Sequence, residues 1–311
     1  MRVTYNSYPE SLVSQLQTLA GRQNTLQNQV ATRQRIQNIE DDPAATQRTL
    51  NLQTENSRVA QYQKNIAFLD ERATVTYENL RGLKTTVDRA GEIATLADGT
   101  KSRQELSTYA TEINQMIEQG VQLMNARHRD DYIFGGTQSG SAPYVATKDA
   151  NGSITAVTYQ GNASIPDAEI SENTTLAVQI VGENNTGSGP RGLITDSRSG
   201  ADYFNHLISL RDHLLAGDTN AIGSVDRPAV AKDEENLLYH IGANGLVQTR
   251  LTAAATSATS RAQNLTKMTS NETEADLVEA MLQLSQTQNA YQAALQSGAN
   301  LLGKSLMNYI S

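Results

Sequence analysis

The chain of 311 residues has no cysteine and no tryptophan, and only three phenylalanines. Without a thiol it can form no disulfide, no thiolate metal site and no cysteine nucleophile. That suits a cytosolic protein, and equally one exported by a route that never needs a disulfide. Aromatic residues make up 5% and apolar residues 38%. This is lean for a thick globular core, whereas long, thin helical assemblies need aliphatic seams and little else. No apolar run approaches the ~18 residues of a membrane helix, and mean hydropathy is -0.48. The opening "MRVTYNSYPESLVSQL" lacks an apolar stretch followed by a small-residue cleavage site, so no cleaved signal peptide is expected. Runs of like charge are missing too. The net charge of -8 argues against a nucleic-acid partner, which would require a basic face, and no membrane partner is expected.

What the chain does contain is heptad spacing. Leu12, Leu16, Leu19, Gln23, Leu26 and Val30 form one narrow seam on a Gln/Asn-rich helix. A stronger series follows. Leu52, Val59, Ile66, Ala73, Leu80, Val87 and Ala94 fall at one heptad position, and Glu55, Tyr62, Leu69, Thr76, Leu83, Ala90 and Ala97 at the other. Only Glu55 and Thr76 interrupt it, which predicts a single rod ~69 Å long at 1.5 Å per residue. Asp98-Gly99 ends the rod in a turn. Ser102 with Glu105 then gives a capping box, opening a helix through Leu106, Tyr109, Ile113, Met116 and Leu123.

From Thr137 to Gly200 the composition shifts to Gly, Ser, Asn and Thr with short β-branched runs, "ITAVTYQG" and "TLAVQIVG" among them. These predict a small antiparallel β-rich domain. Helical patterning returns over 202–218 and 232–268, and a last helix is expected to open at Thr273 with Asp276 three residues on. Its seam reads Leu277, Met281, Leu284, Tyr291, Leu295 and Leu302, with Leu306 and Ile310 near the end. The fold class is therefore mainly α with an inserted β-rich domain. Residues 1–137 and 201–311 are the two helical parts of an antiparallel rod or coiled coil, and 138–200 the insert between them. Such an insertion requires the two halves to be spatial neighbours, so the termini should pair. The terminal stripes reach nearly to both ends, where fraying would waste them unless a partner covers them. Leu12, Leu16, Leu19, Leu26, Val30, Leu284, Tyr291, Leu295, Leu302, Leu306 and Ile310 are accordingly read as an assembly interface.

Asp41 and Asp42 stand directly before Pro43. Paired carboxylates can serve catalysis or a metal, but no histidine lies nearby in sequence. Asp42 as N-cap with Pro43 at the first helical position explains the step, with Asp41 adding charge at the positive end of the helix dipole. His206 and His213 are a heptad apart, not the i, i+4 placement of a helical zinc pair; with His128 and His240 they read as helix-surface or seam residues. "HRDD" (128–131) mimics part of a kinase catalytic loop without the glycine-rich loop and lysine strand that would precede it. "GSGPRG" (187–192) fits G-x-G-x-x-G, yet "ENNT" separates it from the preceding strand, proline sits inside it and no helical period follows. No enzyme, metal or cofactor is expected from these residues.

Three stretches carry a resemblance. "RQRIQNIEDDPAA" (33–45) resembles the signature near the N-terminus of the flagellin family, and its proline after the acid pair is similar to the hook–filament junction branch of that family. "RDDYIFGGT" (129–137) resembles that branch's segment between helical and β parts, and "LSQTQNAYQAALQSGANLLGKSLMNYI" (284–310) its C-terminal helix. Thr32-Arg33 departs from the usual Gly-Lys or Gly-Leu. The resemblance implies a structural, non-enzymatic subunit of the bacterial flagellum, with a filament-forming flagellin as the alternative. It implies export without a cleaved signal peptide to an extracellular position. The implied partners are the hook-side junction protein and flagellin, copies of itself in a ring-like layer, and an export chaperone on the C-terminal helix.

Overall fold

The computed structural model describes residues 7–150 and 152–310, with side chains from 10 to 300 except 151. The chain divides into two compact units, residues 1–58 with 261–311, and residues 59–260.

The first unit contains α1 (Ser7–Thr32), α7 (Leu277–Ile310), the opening of α2 (Pro43–Leu96) and the end of α6 (Arg227–Thr273). α1 packs on α7. Leu12 lies against Gly298, and Gln34 beyond α1 forms an antiparallel bridge to Glu274 ahead of α7, so the two terminal helices run antiparallel. A Cβ at Gly298 would stand 2.5 Å from Leu12 Cδ2, so the backbone of α7 comes unusually close to α1 there. Within the same unit, α2 and α6 are tied by ion pairs Arg48–Glu272 and Glu55–Arg261. Glu55, an interruption of the heptad pattern, is thus satisfied by a cation on the facing helix.

The second unit holds the rest of α2, α3 (Arg103–Met124), the strands, α4 (Tyr203–Ala216), the short turn α5 (Thr219–Ala221), a π-helical turn over 222–226, and α6 up to residue 260. The capping box of α3 forms: Ser102 Oγ accepts the Glu105 N–H and Glu105 accepts the Ser102 N–H. Leu80, Leu83, Ile93, Ile113, Phe134 and Leu207 are fully buried in one cluster shared by helices and strands. Gly120 is where α3 meets α4 most closely, since a Cβ there would stand 2.8 Å from the Tyr203 ring. Thr76, the other heptad interruption, is buried.

The strands pair as hairpins β1–β2 (Arg127–His128, Asp131–Tyr132), β3–β4 (Tyr144–Lys148, Ile154–Tyr159) and β5–β6 (Asp167–Ser171, Thr174–Ala177). A final sheet joins β7 (Val181–Asn184), β8 (Gly192–Asp196) and β9 (Ala201–Asp202). This sheet departs from the antiparallel expectation, because β7 and β8 are parallel. The short return is held by Asn184, whose Nδ2 donates to the carbonyls of Ser188 and Pro190 while its Oδ1 accepts the Thr186 N–H. "GSGPRG" lies in this return and leads into strand β8, not into a helix.

A second correction concerns the last helix. α6 continues to Thr273, and α7 begins at Leu277 with Asp276 accepting the N–H groups of Val278 and Glu279. The residue expected inside the helix is its cap.

Candidate assembly surfaces

Leu12, Leu16, Leu19 and Val30 are half-buried and Leu26 is buried. On α7 the covered positions Leu277, Ala280, Leu284, Thr287, Tyr291, Ala294 and Gly298 fall at alternating intervals of three and four, with Gln283 also partly covered. This is a heptad seam that mixes large members with small ones. It differs from the leucine-guided reading at Met281 and Leu295, which are 53% and 47% exposed. Ala280, Ala294 and Gly298 are the positions turned toward α1, because small residues admit its leucines. The side chains of Leu302, Leu306 and Ile310 lie outside the described residues.

The other side of α7 carries a second apolar stripe. Val278, Met281, Leu282 and Leu295 are all exposed, Val278 at 80% and Leu282 at 58%. On α1, Val13 is exposed as well. Leu12 through Val30, Leu284 and Tyr291 therefore line a seam inside one chain, whereas Leu295 belongs to the surface that a neighbour could cover.

The linkers that bound the terminal helices are clasped together. Arg35 N–H donates to Thr273 O at 2.7 Å and Ala275 N–H to Arg33 O at 3.0 Å. Arg33 takes a positive φ of 60° to make the reversal. The Arg35 guanidinium donates to Asp42 Oδ2 and to the Glu272 carbonyl, and Arg48 forks onto both oxygens of Glu272. Asp42 Oδ1 accepts the Ala45 N–H at 2.9 Å, at the start of α2. Its pKa is held below the ordinary value first by that N–H and then by Arg35. Asp41 does something separate: its Oδ2 accepts the N–H groups of Gln37 and Asn38, fixing the preceding turn, and those bonds lower its pKa. The Arg48 fork likewise lowers the pKa of Glu272. The acid pair thus serves two successive backbone turns.

Pairings across α4 and α6 were not visible in the spacing. His206 Nδ1 lies 2.8 Å from Asp233, whose other oxygen accepts the Asp202 N–H. His213 Nδ1 lies 2.7 Å from Asp226 in the π-helical turn, and Ser209 Oγ donates to the same carboxylate. His240 sits within reach of Gly192 O at 3.0 Å, and burial pushes its pKa down to about 4. His128 packs against Phe68 with the rings tilted by 57° at a centre distance of 5.6 Å, beside Glu71. These groups tie helices and strands together in pairs. Among the described residues, no group of three or more His, Asp or Glu could hold a metal ion, and no helix is long and apolar enough to cross a membrane.

The family of bacterial flagellin N-terminal helical regions matches residues 4–137. Flagellar hook-associated protein 3 of Escherichia coli K12 is 23% identical over 190 residues, 60% of this chain and 57% of that protein. Its Salmonella typhimurium counterpart is 28% identical over 138 residues, 43% of this chain and 44% of the relative. The chain thus spans about half the length of the curated relatives it matches. Among solved structures, a Vibrio parahaemolyticus protein assigned as flagellar hook-associated aligns at a TM-score of 0.64 with 20% identity, covering 75% of this chain and all of that one. FlgL of Xanthomonas campestris aligns at 0.55 with 14% identity, covering 69% of this chain and 98% of its own. Identities this low establish a shared fold, long terminal helices with a small strand-bearing middle. Over residues 4–137, the stretch that holds the acid-pair clasp and α1, the chain is similar to the flagellin N-terminal helical region.

Proposed function

We propose that the chain is a structural subunit of the bacterial flagellum, at the junction between hook and filament. The observation that carries this reading is on α7: its inner seam is closed by α1, yet Val278, Met281, Leu282 and Leu295 remain uncovered. A helix apolar on two sides is built to be buried on both. The curated relatives named hook-associated protein 3 favour the junction over the filament itself.

In this reading the exposed stripe meets neighbouring axial subunits: copies of the same chain in a ring-like layer, the hook-side junction protein on one side and flagellin on the other. Before assembly an export chaperone covers α7, and the chain leaves the cell without a cleaved signal peptide. Residues 1–137 and 201–311 supply the rod, with 138–200 turned outward. It works without catalysis or cofactor. The second reading, a filament-forming flagellin, draws on the match over 4–137, whose family is named for flagellin.

A strain lacking the gene should build hooks and release flagellin into the medium without retaining filaments. A subunit whose two axial faces differ adds a limited layer and does not polymerise on itself. Purified protein should therefore stay monomeric or associate weakly where flagellin grows from seeds. Long filaments of this protein alone, seen by electron microscopy, would overturn the junction in favour of flagellin.

A further inference from the structure

One face of α6 in the second unit is apolar and uncovered. Leu238, Tyr239 and Leu246 are 50%, 52% and 70% exposed, and they lie within about 100° of one another around the helix. The Tyr239 ring is held in place from one side by the Arg191 guanidinium, 4.5 Å from its centre. Gly242 and Gly245 fall on the same side, inside a helix of 47 residues. Glycine in a helix interior costs stability, so each position asks for a reason. At Gly120 and Gly298 the reason lies within the chain, because Tyr203 and Leu12 occupy the space of the missing side chain. At Gly242 and Gly245 it does not: beyond their own stretch of α6, no described atom lies within 4 Å of where a Cβ would stand.

Two unpaired charges bracket this face. Glu235 and Arg250 are both exposed, and neither side chain makes an ion pair or hydrogen bond among the described residues. They stand on either side of Gly242 at nearly equal distance, seven residues before it and eight after.

We infer that this face is where two copies of the free chain pair, α6 against α6, antiparallel about a two-fold axis at Gly242. The pattern is self-complementary in that direction. Turned end for end, the second copy brings its Tyr239 to Leu246, its Gly245 beneath Leu238 and its Arg250 beside Glu235, and each contact occurs twice. The bare backbone at Gly242 lets the two helices approach closely where they cross. In the parallel direction Glu235 would face Glu235 and Arg250 would face Arg250, and both pairs repel. Three apolar side chains and one ion pair from each copy make a contact smaller than the ~1,200 Å² of stable complexes, so the pair is weak and reversible. An isologous contact closes on itself, so it stops at two and starts no filament. An axial layer whose copies all point one way has no place for it, so the pair belongs to the subunit before assembly. It stands or falls separately from the junction reading.

The test uses the full chain and sedimentation equilibrium from ~10 µM to ~1 mM. The unaltered protein should show a reversible monomer–dimer equilibrium with no larger species. Glu235→Arg and Arg250→Glu, both at exposed positions, should each weaken self-association about tenfold, because two attractive pairs become two repulsive ones. An equimolar mixture of the two variants should recover the dimer, since each then meets its opposite charge. The chain has no cysteine of its own, so Gly242→Cys gives a second readout: oxidation in air should join two copies through a disulfide, whereas Thr85→Cys, exposed on α2, should leave monomers. A monomer throughout the concentration range would overturn the pairing. So would a dimer indifferent to both charge reversals, which would run through another surface such as the outer stripe of α7.

Discussion

Replacing Leu282 and Leu295 together by Gln separates the outer stripe of α7 from its inner seam. The two side chains are 58% and 47% exposed in the single chain. Fully burying a leucine contributes about 1.5–3 kcal/mol. The part still exposed and available to a neighbour is therefore worth roughly 1 kcal/mol at each position, or about 2 kcal/mol for the pair. That corresponds to a loss of about thirtyfold in affinity at each contact. Because both positions already face water, the melting temperature of the isolated protein should hardly change. Cells carrying only the double variant should release more flagellin and retain fewer filaments, counted by electron microscopy. The contrasting variant is Leu26→Ala, at a buried seam position. It should cost about 2–5 kcal/mol within the chain, read as faster hydrogen exchange in α1 and α7. Normal filament numbers with the double variant would refute the outer stripe as a contact surface, as would a large fall in its monomer melting temperature.

The clasp should respond to acid. Asp42 and Glu272 have lowered pKa values in the folded chain, so their contribution is present above the unfolded values and is lost as pH falls through the folded ones. Proteolysis of residues 1–58 and 261–311 should accelerate on acidification below about pH 4, and Asp42→Asn should bring that sensitivity to neutral pH. Glu183 behaves oppositely: burial, reinforced by Asp202, pushes its pKa up to about 7. Its stabilising share is complete below the ordinary carboxylate range and lost as pH rises through 7, so Glu183→Gln should raise the melting temperature more at pH 8 than at pH 5. Gly120→Ala should destabilise the second unit by about 1–3 kcal/mol, measured by urea unfolding, because the new Cβ would press on the Tyr203 ring.

The helices were legible in the sequence because their signals are local and repetitive. A heptad of leucines, a Ser-x-x-Glu box and an Asp-Pro step each fix a backbone state within one or two turns. The orientation of α7 was harder to read. Its inner seam is set by Ala280, Ala294 and Gly298, whose small size invites the partner, while the conspicuous Met281 and Leu295 face outward. Hydrophobicity alone ranks these in the wrong order. The parallel pairing of β7 with β8 escaped for another reason. It depends on a loop held by one side chain, Asn184, and no periodic pattern records that. The His–Asp pairs and the Arg35 clasp join residues far apart in the chain, so spacing could not disclose them. Arg35 and Glu272 carry no local signal beyond their charge.

The antiparallel pairing of α1 with α7 also bears on timing. Leu12 waits for Gly298, and Arg35 for Thr273. A chain that is threaded or synthesised from its N-terminus presents one half of this seam first and the other half last. Until the final helix arrives, the leucines of α1 have no partner of their own. Whatever shields them in that interval decides whether the ends meet each other or meet a stranger.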